Sequence, residues 1–181
     1  MREIGRSGPS VRLVPAGDDR PRLVCEICGY VAYENPKIIV GAVCTWGGKY
    51  LLCRRAIEPR RSYWTMPAGY LEVSETAERG AEREVWEEAR ARVRIDALLA
   101  IYSLPHISQI HMIYRAVMGT ADCAPGMESL EVRLFGWEDI PWTVLAYPNV
   151  AWSLRYHREL AGRTDFAPRG IPEGATVEIT Y

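Results

Sequence analysis

Apolar residues are concentrated in short runs after residue 36, and most of these runs predict β-strands. The run 38–46, IIVGAVCTW, is almost wholly apolar and predicts a strand buried on both faces. Gly47-Gly48 separates it from 49–55, KYLLCRR, so the two runs predict a hairpin with a tight turn. Later strands are predicted over 93–104, 110–118 and 131–140, and an edge strand over 176–181.

Two helices are predicted among these strands. Residues 76–90 contain no proline and a single glycine, and Ser74 or Thr76 can cap the start. A second helix is predicted over 150–161, with Asn149 as its cap. Because the first helix lies between predicted strands, the sequence predicts an α/β domain in which a helix interrupts the sheet.

Residues 1–35 differ in composition from the rest. Residues 1–24 are rich in Arg, Pro, Gly and Asp without a hydrophobic period, which predicts a poorly ordered arm. Residues 36–181 form the predicted main domain, since a chain of 181 residues with 48% apolar residues can bury one substantial core. We find no membrane-spanning run and no signal-peptide pattern, so we expect a cytoplasmic protein. A net charge of -1 gives no basic footprint for nucleic acid.

The five cysteines indicate free thiols, because the count is odd and no secretion signal precedes them. Cys25 and Cys28 have the spacing of one zinc knuckle, but a structural zinc site normally takes four ligands. No Cys or His precedes Cys25, so the arm carries half of such a site, and we do not expect zinc there unless two chains pool their cysteines. Cys44 and Cys53 lie in predicted strands and are expected in the core.

Carboxylates follow one edge of the first predicted helix. At about 100° per residue, Glu84, Glu87 and Glu88 fall on one arc beside the apolar face. Like charges one turn apart destabilise a helix unless a cation offsets them. Oxygen ligands without nearby His or Cys favour a hard cation, so the pattern predicts Mg²⁺, with Mn²⁺ as a substitute. These residues alone leave open the alternative of a salt-bridged helix face in solvent.

The loop before this helix, 64-WTMPAGYLEVSE-75, favours the metal site over that alternative. Pro67 and Gly69 predict a tight turn, which can bring the main-chain carbonyl of Ala68 toward the carboxylates. Five residues separate Gly69 from Glu75, and seven more lead to the run Arg83-Glu84-Val85-Trp86-Glu87-Glu88. This motif resembles the signature box of the Nudix hydrolases.

The resemblance extends over roughly residues 36–165. It implies the Nudix fold, an α/β fold in which a mixed sheet is sandwiched between helices (α/β/α). It also implies hydrolysis of a pyrophosphate bond in a nucleoside diphosphate derivative. Arg90 and Ala91 depart from the box, which has a glycine and a bulky aliphatic there. We therefore expect a longer or differently capped helix end, with the metal site intact.

The resemblance implies roles for individual residues. The implied metal ligands are Glu84, Glu87, Glu88 and the carbonyl of Ala68, with Arg83 and Glu75 orienting them. A metal-bound water would attack phosphorus, because the cation screens the phosphate charge and lowers the pKa of the water. A box glutamate, or Glu128 or Glu131 from a later loop, would accept the proton.

The sequence predicts the substrate-binding residues less specifically than it predicts the metal ligands. Four arginines upstream of the box are candidates for phosphate contacts, although each can equally serve the surface alone: Arg54, Arg55, Arg60 and Arg61. Pro105 lies near where relatives that cleave ADP-ribose carry a proline. The cysteine arm and the run 104–111 are similar to a bacterial Nudix subgroup with a zinc-ribbon arm, which implies ADP-ribose or FAD as substrate. The three histidines are expected to be structural.

Other functions stay open on the sequence. An intact box could also serve NADH, nucleoside triphosphates, diadenosine polyphosphates or an isoprenoid-diphosphate isomerase. Some Nudix domains bind a nucleotide without cleaving it and act as sensors. The arm could bind nucleic acid or protein, although the missing second knuckle argues against this. Many relatives pair, so the resemblance allows a homodimer.

Overall fold

The computed structural model describes residues 8–175. The chain divides into two compact units between Asn35 and Pro36. Among the described residues, no helix is long and apolar enough to cross a membrane. The predicted strand over 176–181 lies outside the described residues.

The first unit contains a small antiparallel sheet, in the order β1-β2-β3. Its strands are β1 (Val11–Leu13), β2 (Arg22–Val24) and β3 (Val31–Ala32). The prediction of a poorly ordered arm over 1–24 is therefore wrong for the described part of that segment. Such short strands give no visible hydrophobic period, and polar contacts help to hold them. Arg22 pairs with Asp18 at 3.0 Å and lies over the ring of Tyr33.

The second unit is built on a larger mixed sheet. Its main strands are β4 (Lys37–Trp46), β5 (Lys49–Arg55), β8 (Val93–Leu104), β9 (Gln109–Met118) and β10 (Ser129–Phe135), in the order β10-β5-β4-β9-β8. The short strands β6 (Trp64–Thr65) and β7 (Ala68–Tyr70) pair with β5 and β4. β4 and β9 run parallel, whereas the other pairs are antiparallel.

The predicted hairpin between β4 and β5 is confirmed. Gly47 and Gly48 both have positive φ, 56° and 76°, as the favoured two-residue hairpin turn requires. The two strands pair only beside the turn, because β7 takes over pairing with β4 at residues 39–41. The centre of β4 is buried on both faces as predicted, with Ala42 and Val43 in different core clusters.

A helix covers each face of this sheet. The first, α1 (Ala77–Ala89), packs Ala81 and Val85 onto the cluster that contains Ala42. The second, α2 (Pro148–Glu159), packs Val150 and Leu154 into the cluster that contains Val43. The predicted α/β/α sandwich with a mixed sheet is thus confirmed.

Two predicted boundaries are wrong. The strand predicted over 131–140 ends at Phe135, and residues 137–139 form a 3₁₀ turn in which Trp137 packs on the ring of Tyr50. Asn149 does not cap α2, because Pro148 starts the helix and Tyr147 is the cap. Asn149 instead lies within the first turn and is buried.

Candidate active site

The loop before α1 holds the first carboxylate of the site. Thr76 caps the helix, since its Oγ1 accepts a hydrogen bond from the backbone N–H of Arg79 at 3.3 Å. Glu75 accepts a hydrogen bond from the backbone N–H of Glu72 at 2.7 Å. Gly80 leaves room for this arrangement, because a Cβ there would meet the Glu75 carboxylate at 2.9 Å. Glu75 is therefore fixed against the first turn of α1.

Arg83 binds three glutamates at once. It donates to Glu75 at 2.8 Å, to Glu84 at 2.7 Å and to Glu87 at 3.1 Å. The hydrogen bond from Arg83 is the main cause that lowers the pKa of Glu75. The same bond is the main cause that raises the pKa of Arg83, with Glu84 contributing. A single guanidinium thus orients carboxylates from both the loop and the helix.

Glu84 and Glu88 lie one turn apart on the same edge of α1, and each is only 8% exposed. The Glu84 carboxylate lies directly against Gly69, where a Cβ would collide with it. Glu88 accepts a hydrogen bond from the backbone N–H of Ala68 at 3.3 Å. Burial raises the pKa of both carboxyls, to about 8 for Glu88. Neighbouring carboxylates, including Glu128, raise both further.

The carboxyl end of α1 is closed by a later loop. Arg90 takes the left-handed conformation at φ 52°, and its N–H donates to the carbonyl of Trp86. Of the two expected alternatives, a longer helix or a differently capped end, the second is what forms. The loop before β10 supplies further donors: the N–H of Ala124 binds the Ala89 carbonyl at 2.8 Å, and that of Gly126 binds the Glu88 carbonyl at 2.9 Å. This loop carries Glu128 to the glutamates of α1.

The carboxylates border a cavity of about 820 Å³ in the second unit. Apolar and aromatic side chains form part of its wall, among them Ile57, Met66, Ile113, Met127 and Tyr147. Gln109 and His111 of β9 and Asn149 of α2 also line the cavity. Cavities of this size that combine an apolar wall with a few polar groups are typical of small-molecule sites.

Two family models match this chain. A family model described as NUDIX domain matches residues 35–157. The chain belongs to the Nudix family. A second model, described as Nudix N-terminal, matches residues 7–34, which include the Cys25–Cys28 pair. All five cysteines are free thiols, with Cys44 and Cys53 buried.

Solved and curated relatives agree with the Nudix assignment. The crystal structure of a NUDIX hydrolase from Nitrosomonas europaea is 45% identical with a TM-score of 0.84, and the match covers 94% of this chain and 97% of that one. A MutT-like protein of Streptomyces ambofaciens is 36% identical over 77 residues, 42% of this chain and less than half (48%) of that protein. An ADP-ribose pyrophosphatase of Methanocaldococcus jannaschii is 27% identical over 118 residues, 62% of this chain and 69% of that protein.

The structure brings most of the predicted residues of the Nudix box to this cavity. Those that line it are Ala68, Gly69, Arg83, Glu84, Glu87 and Glu88, together with Arg55 and Glu128 from outside the box. Glu75 does not line the cavity but accepts hydrogen bonds from Arg83, which does.

Several other predicted residues do not line the cavity. Glu131 faces Arg54 across the strand pair and forms an ion pair with it at 3.7 Å. Arg60 lies over the ring of Tyr63, and Arg61 is exposed. Pro105 is exposed in the turn between β8 and β9. The cavity-lining residues include none of these.

Sequence reasoning missed the polar group formed by Gln109, His111 and Asn149. His111 Nε2 donates to Gln109 Oε1 at 2.9 Å, and its Nδ1 lies 3.1 Å from Asn149 Nδ2. Burial lowers the pKa of His111 to about 4, so the ring is neutral at physiological pH. The pair Gln109 and His111 has i, i+2 spacing on a strand, which is a weak signal, and the sequence pattern around Asn149 predicts a helix cap instead.

The donor set of the Nudix site fits a hard divalent cation. Glu84, Glu87 and Glu88 supply only oxygen atoms, and the mutual repulsion of the buried carboxylates is what a cation would offset. Within residues 8–175, no three His, Cys, Asp or Glu side chains are close enough to hold a metal ion as they stand. Arg83 draws Glu84 and Glu87 toward itself. A cation bound there would compete with Arg83 for these two carboxylates.

Proposed function

We propose that this chain is a metal-dependent Nudix pyrophosphohydrolase. The proposed substrate is a nucleoside diphosphate derivative, ADP-ribose or an FAD-like dinucleotide. The observation that carries the proposal is the glutamate edge of α1, which borders a cavity large enough for such a ligand. Buried like charges are costly for folding, so their retention at a cavity favours a functional role.

Glu84, Glu87 and Glu88 would hold Mg²⁺, or Mn²⁺ in its place, with the carbonyl of Ala68 as a further oxygen ligand. When bound there, the cation screens the pyrophosphate charge and lowers the pKa of an attacking water. The role of Arg83 is to orient Glu84 and Glu87, which it already contacts at 2.7 and 3.1 Å. The turn at Gly69 lets the Glu84 carboxylate approach the backbone.

Glu128 is the better of the two proposed proton acceptors outside the helix. Its loop is bound to the end of α1, and its charge acts on both Glu84 and Glu88. Glu131 faces away into an ion pair with Arg54 and a hydrogen bond from Arg133 at 2.7 Å. The proposal therefore assigns the proton to Glu128 or to a box glutamate, and not to Glu131.

The part of the cavity wall that carries Arg55 and Tyr147 suits a phosphate and a base of a nucleotide. Arg55 and Tyr147 both line the cavity, and the guanidinium lies 5.5 Å from the ring centroid. This pair offers positive charge for a phosphate and an aromatic surface for a base. The name of the Methanocaldococcus jannaschii relative, an ADP-ribose pyrophosphatase, supports ADP-ribose as the first substrate to test.

The experiment is chromatographic product analysis of the purified protein with Mg²⁺ or Mn²⁺. The panel contains ADP-ribose, FAD, NADH, diadenosine polyphosphates and nucleoside triphosphates. We expect AMP from ADP-ribose or FAD, with no products when EDTA removes the metal. If no member is cleaved, yet one raises the melting temperature, the chain is a nucleotide-binding domain and the hydrolase proposal is wrong.

A further inference from the structure

One buried polar atom in the cavity wall is left without a partner. Among the side chains of residues 8–175, only Ser129 Oγ and Asn149 Oδ1 are buried nitrogen or oxygen atoms that lack a hydrogen bond. Ser129 lies against the thiol of Cys53 and does not line the cavity. Asn149 is 4% exposed and does line it. An acceptor buried without a partner is costly, and such atoms in native proteins call for an explanation.

The Asn149 amide lies with its nitrogen toward His111. The ring of His111 is neutral because burial lowers its pKa to about 4. The Asn149 amide N–H donates to His111 Nδ1, so the ring proton is on Nε2, which donates to Gln109 Oε1. This chain of hydrogen bonds engages the nitrogen end of the amide. Its oxygen end, Oδ1, is the atom left to accept.

Rigid elements hold this acceptor in place. His111 belongs to β9, which pairs along its length with both β4 and β8. Asn149 lies in the first turn of α2, where Pro148 fixes the backbone. An oxygen held between a central strand and a helix start is preorganised to receive a ligand atom.

We propose that Asn149 is a specificity-determining residue: its Oδ1, positioned by His111, accepts a hydrogen bond from a neutral O–H or N–H donor of the bound substrate. This inference rests on the proposed function, since it assumes that the cavity holds the nucleotide. Two kinds of group in ADP-ribose carry such a donor, the hydroxyls of its two riboses and the adenine amino group. A site that hydrogen-bonds a substrate group discriminates strongly against ligands that lack it, because its own polar group is then left unpaired.

The test compares kcat/KM for ADP-ribose and its purine analogue, in which a hydrogen atom replaces the adenine amino group. The variants are Asn149→Leu and Asn149→Ala, with Asn149→Asp as the variant that keeps an acceptor oxygen. We expect Leu and Ala to lower kcat/KM for ADP-ribose by about 10- to 100-fold, and Asp to lower it less. A loss with both substrates identifies a hydroxyl donor, and a loss with ADP-ribose alone identifies the amino group.

His157→Gln is the matched control. His157 is also a hydrogen-bonded histidine whose pKa burial lowers to about 4, and it contacts Tyr50 without lining the cavity. We expect this variant to keep kcat/KM within about twofold of wild type, as for a change distant from the site. Wild-type kcat/KM in a folded Asn149→Ala or Asn149→Leu variant overturns the proposal, as does an equal loss in His157→Gln.

Binding separates failure of this inference from failure of the proposed function. If wild type cleaves nothing, the shift in melting temperature caused by ADP-ribose replaces kcat/KM as the measurement. A shift in wild type that Asn149→Ala loses supports the inference while the hydrolase proposal fails. Equal shifts in both proteins overturn the inference alone. A wild type that neither cleaves nor binds any substrate of the panel overturns both.

Discussion

At the scale of single residues, Glu88 is a site residue whose burial lowers the stability of the metal-free chain. Its carboxyl is 8% exposed, and burial raises its pKa to about 8. Ionised Glu88 is therefore disfavoured in the metal-free protein, and the nearby charges of Glu84 and Glu128 add to the cost. A bound cation would reverse this balance, because it favours the ionised form.

Glu88→Gln tests this cost. The folded pKa lies above the ordinary value of 4.5, so the penalty on the carboxylate is absent below about pH 4.5 and complete above about pH 8. We expect the metal-free variant to gain about 1 to 3 kcal/mol of unfolding free energy above pH 8, and to gain nothing near pH 4. Urea denaturation in EDTA measures this gain. A variant less stable than wild type at high pH would contradict the account.

The sequence predicted the box residues but not the polar group beside them. Glu84, Glu87 and Glu88 share one helix, so their spacing alone places them on one edge. His111 and Asn149 meet only because the chain places α2 across the face of β9. A single histidine and a single asparagine far apart in sequence have no spacing from which that contact could be inferred.

At the scale of elements, the carboxyl end of α1 has a left-handed backbone conformation and lies beside the cavity. Arg90 adopts φ 52°, a conformation that glycine tolerates better than any residue with a Cβ. The expected alternative of a differently capped end is met, because a left-handed residue can end a helix without being glycine.

Arg90→Gly should stabilise the fold by about 0.5 to 1 kcal/mol. The reason is that the free-energy cost of the left-handed conformation in arginine exceeds the conformational-entropy cost of ordering a glycine on folding. Arg92→Gly is the matched control, since both arginines lie over the ring of Trp86 and Arg92 is not among the described residues with positive φ. We expect no gain from the control. Thermal unfolding compares the two, and equal effects would show that the turn carries no strain.

Gly126→Ala should damage the loop that closes α1. A Cβ at this position would collide with the backbone carbonyl oxygen of Glu87, which cannot rotate away as a side chain does. We expect a loss of about 1 to 3 kcal/mol in unfolding free energy, together with lower turnover, because the loop carries Glu128. The control is Gly119→Ala, where a Cβ would meet nothing within 4 Å. Unchanged stability and turnover in Gly126→Ala would contradict this account.

Element types were predictable where the hydrophobic pattern was long. The strand over 93–104 and the helix beginning after Thr76 follow the sequence closely, since each has a continuous pattern and a clear start. The strand predicted to run to residue 140 failed because Trp137 leaves the sheet to pack on Tyr50 and Trp142. Aromatic packing of this kind depends on tertiary contacts, which override local strand propensity.

At the scale of the second unit, the two-faced sheet explains why two of its histidines, His111 and His157, are uncharged. His111 is buried between β9 and the start of α2, and His157 packs edge-on against Tyr50 from α2. Burial lowers the pKa of each to about 4. These two histidines therefore bind protons near the ordinary pKa of 6.5 in the unfolded chain, whereas in the folded chain they do not.

Acid should therefore destabilise the protein through these histidines. Their folded pKa is depressed, so the stability they contribute is present above about pH 6.5 and is lost as the pH falls toward 4. We expect wild type to lose about 1 to 2 kcal/mol more than His111→Gln between about pH 7.5 and pH 5. Urea denaturation of both proteins at the two pH values measures the difference. Parallel losses would show that His111 is not held neutral.

The central claim is that the glutamate edge of α1 is the catalytic centre. Comparing the turnover of Glu87→Gln and Glu82→Gln with Mg²⁺ tests this claim most directly. Both residues are glutamates of α1, but Glu87 borders the cavity, whereas Glu82 pairs with Arg79 away from it. The account predicts that Glu87→Gln lowers kcat by about 100-fold or more on the substrate that wild type cleaves, with Glu82→Gln near wild type and both variants folded. Wild-type kcat in Glu87→Gln on every cleaved substrate would contradict it.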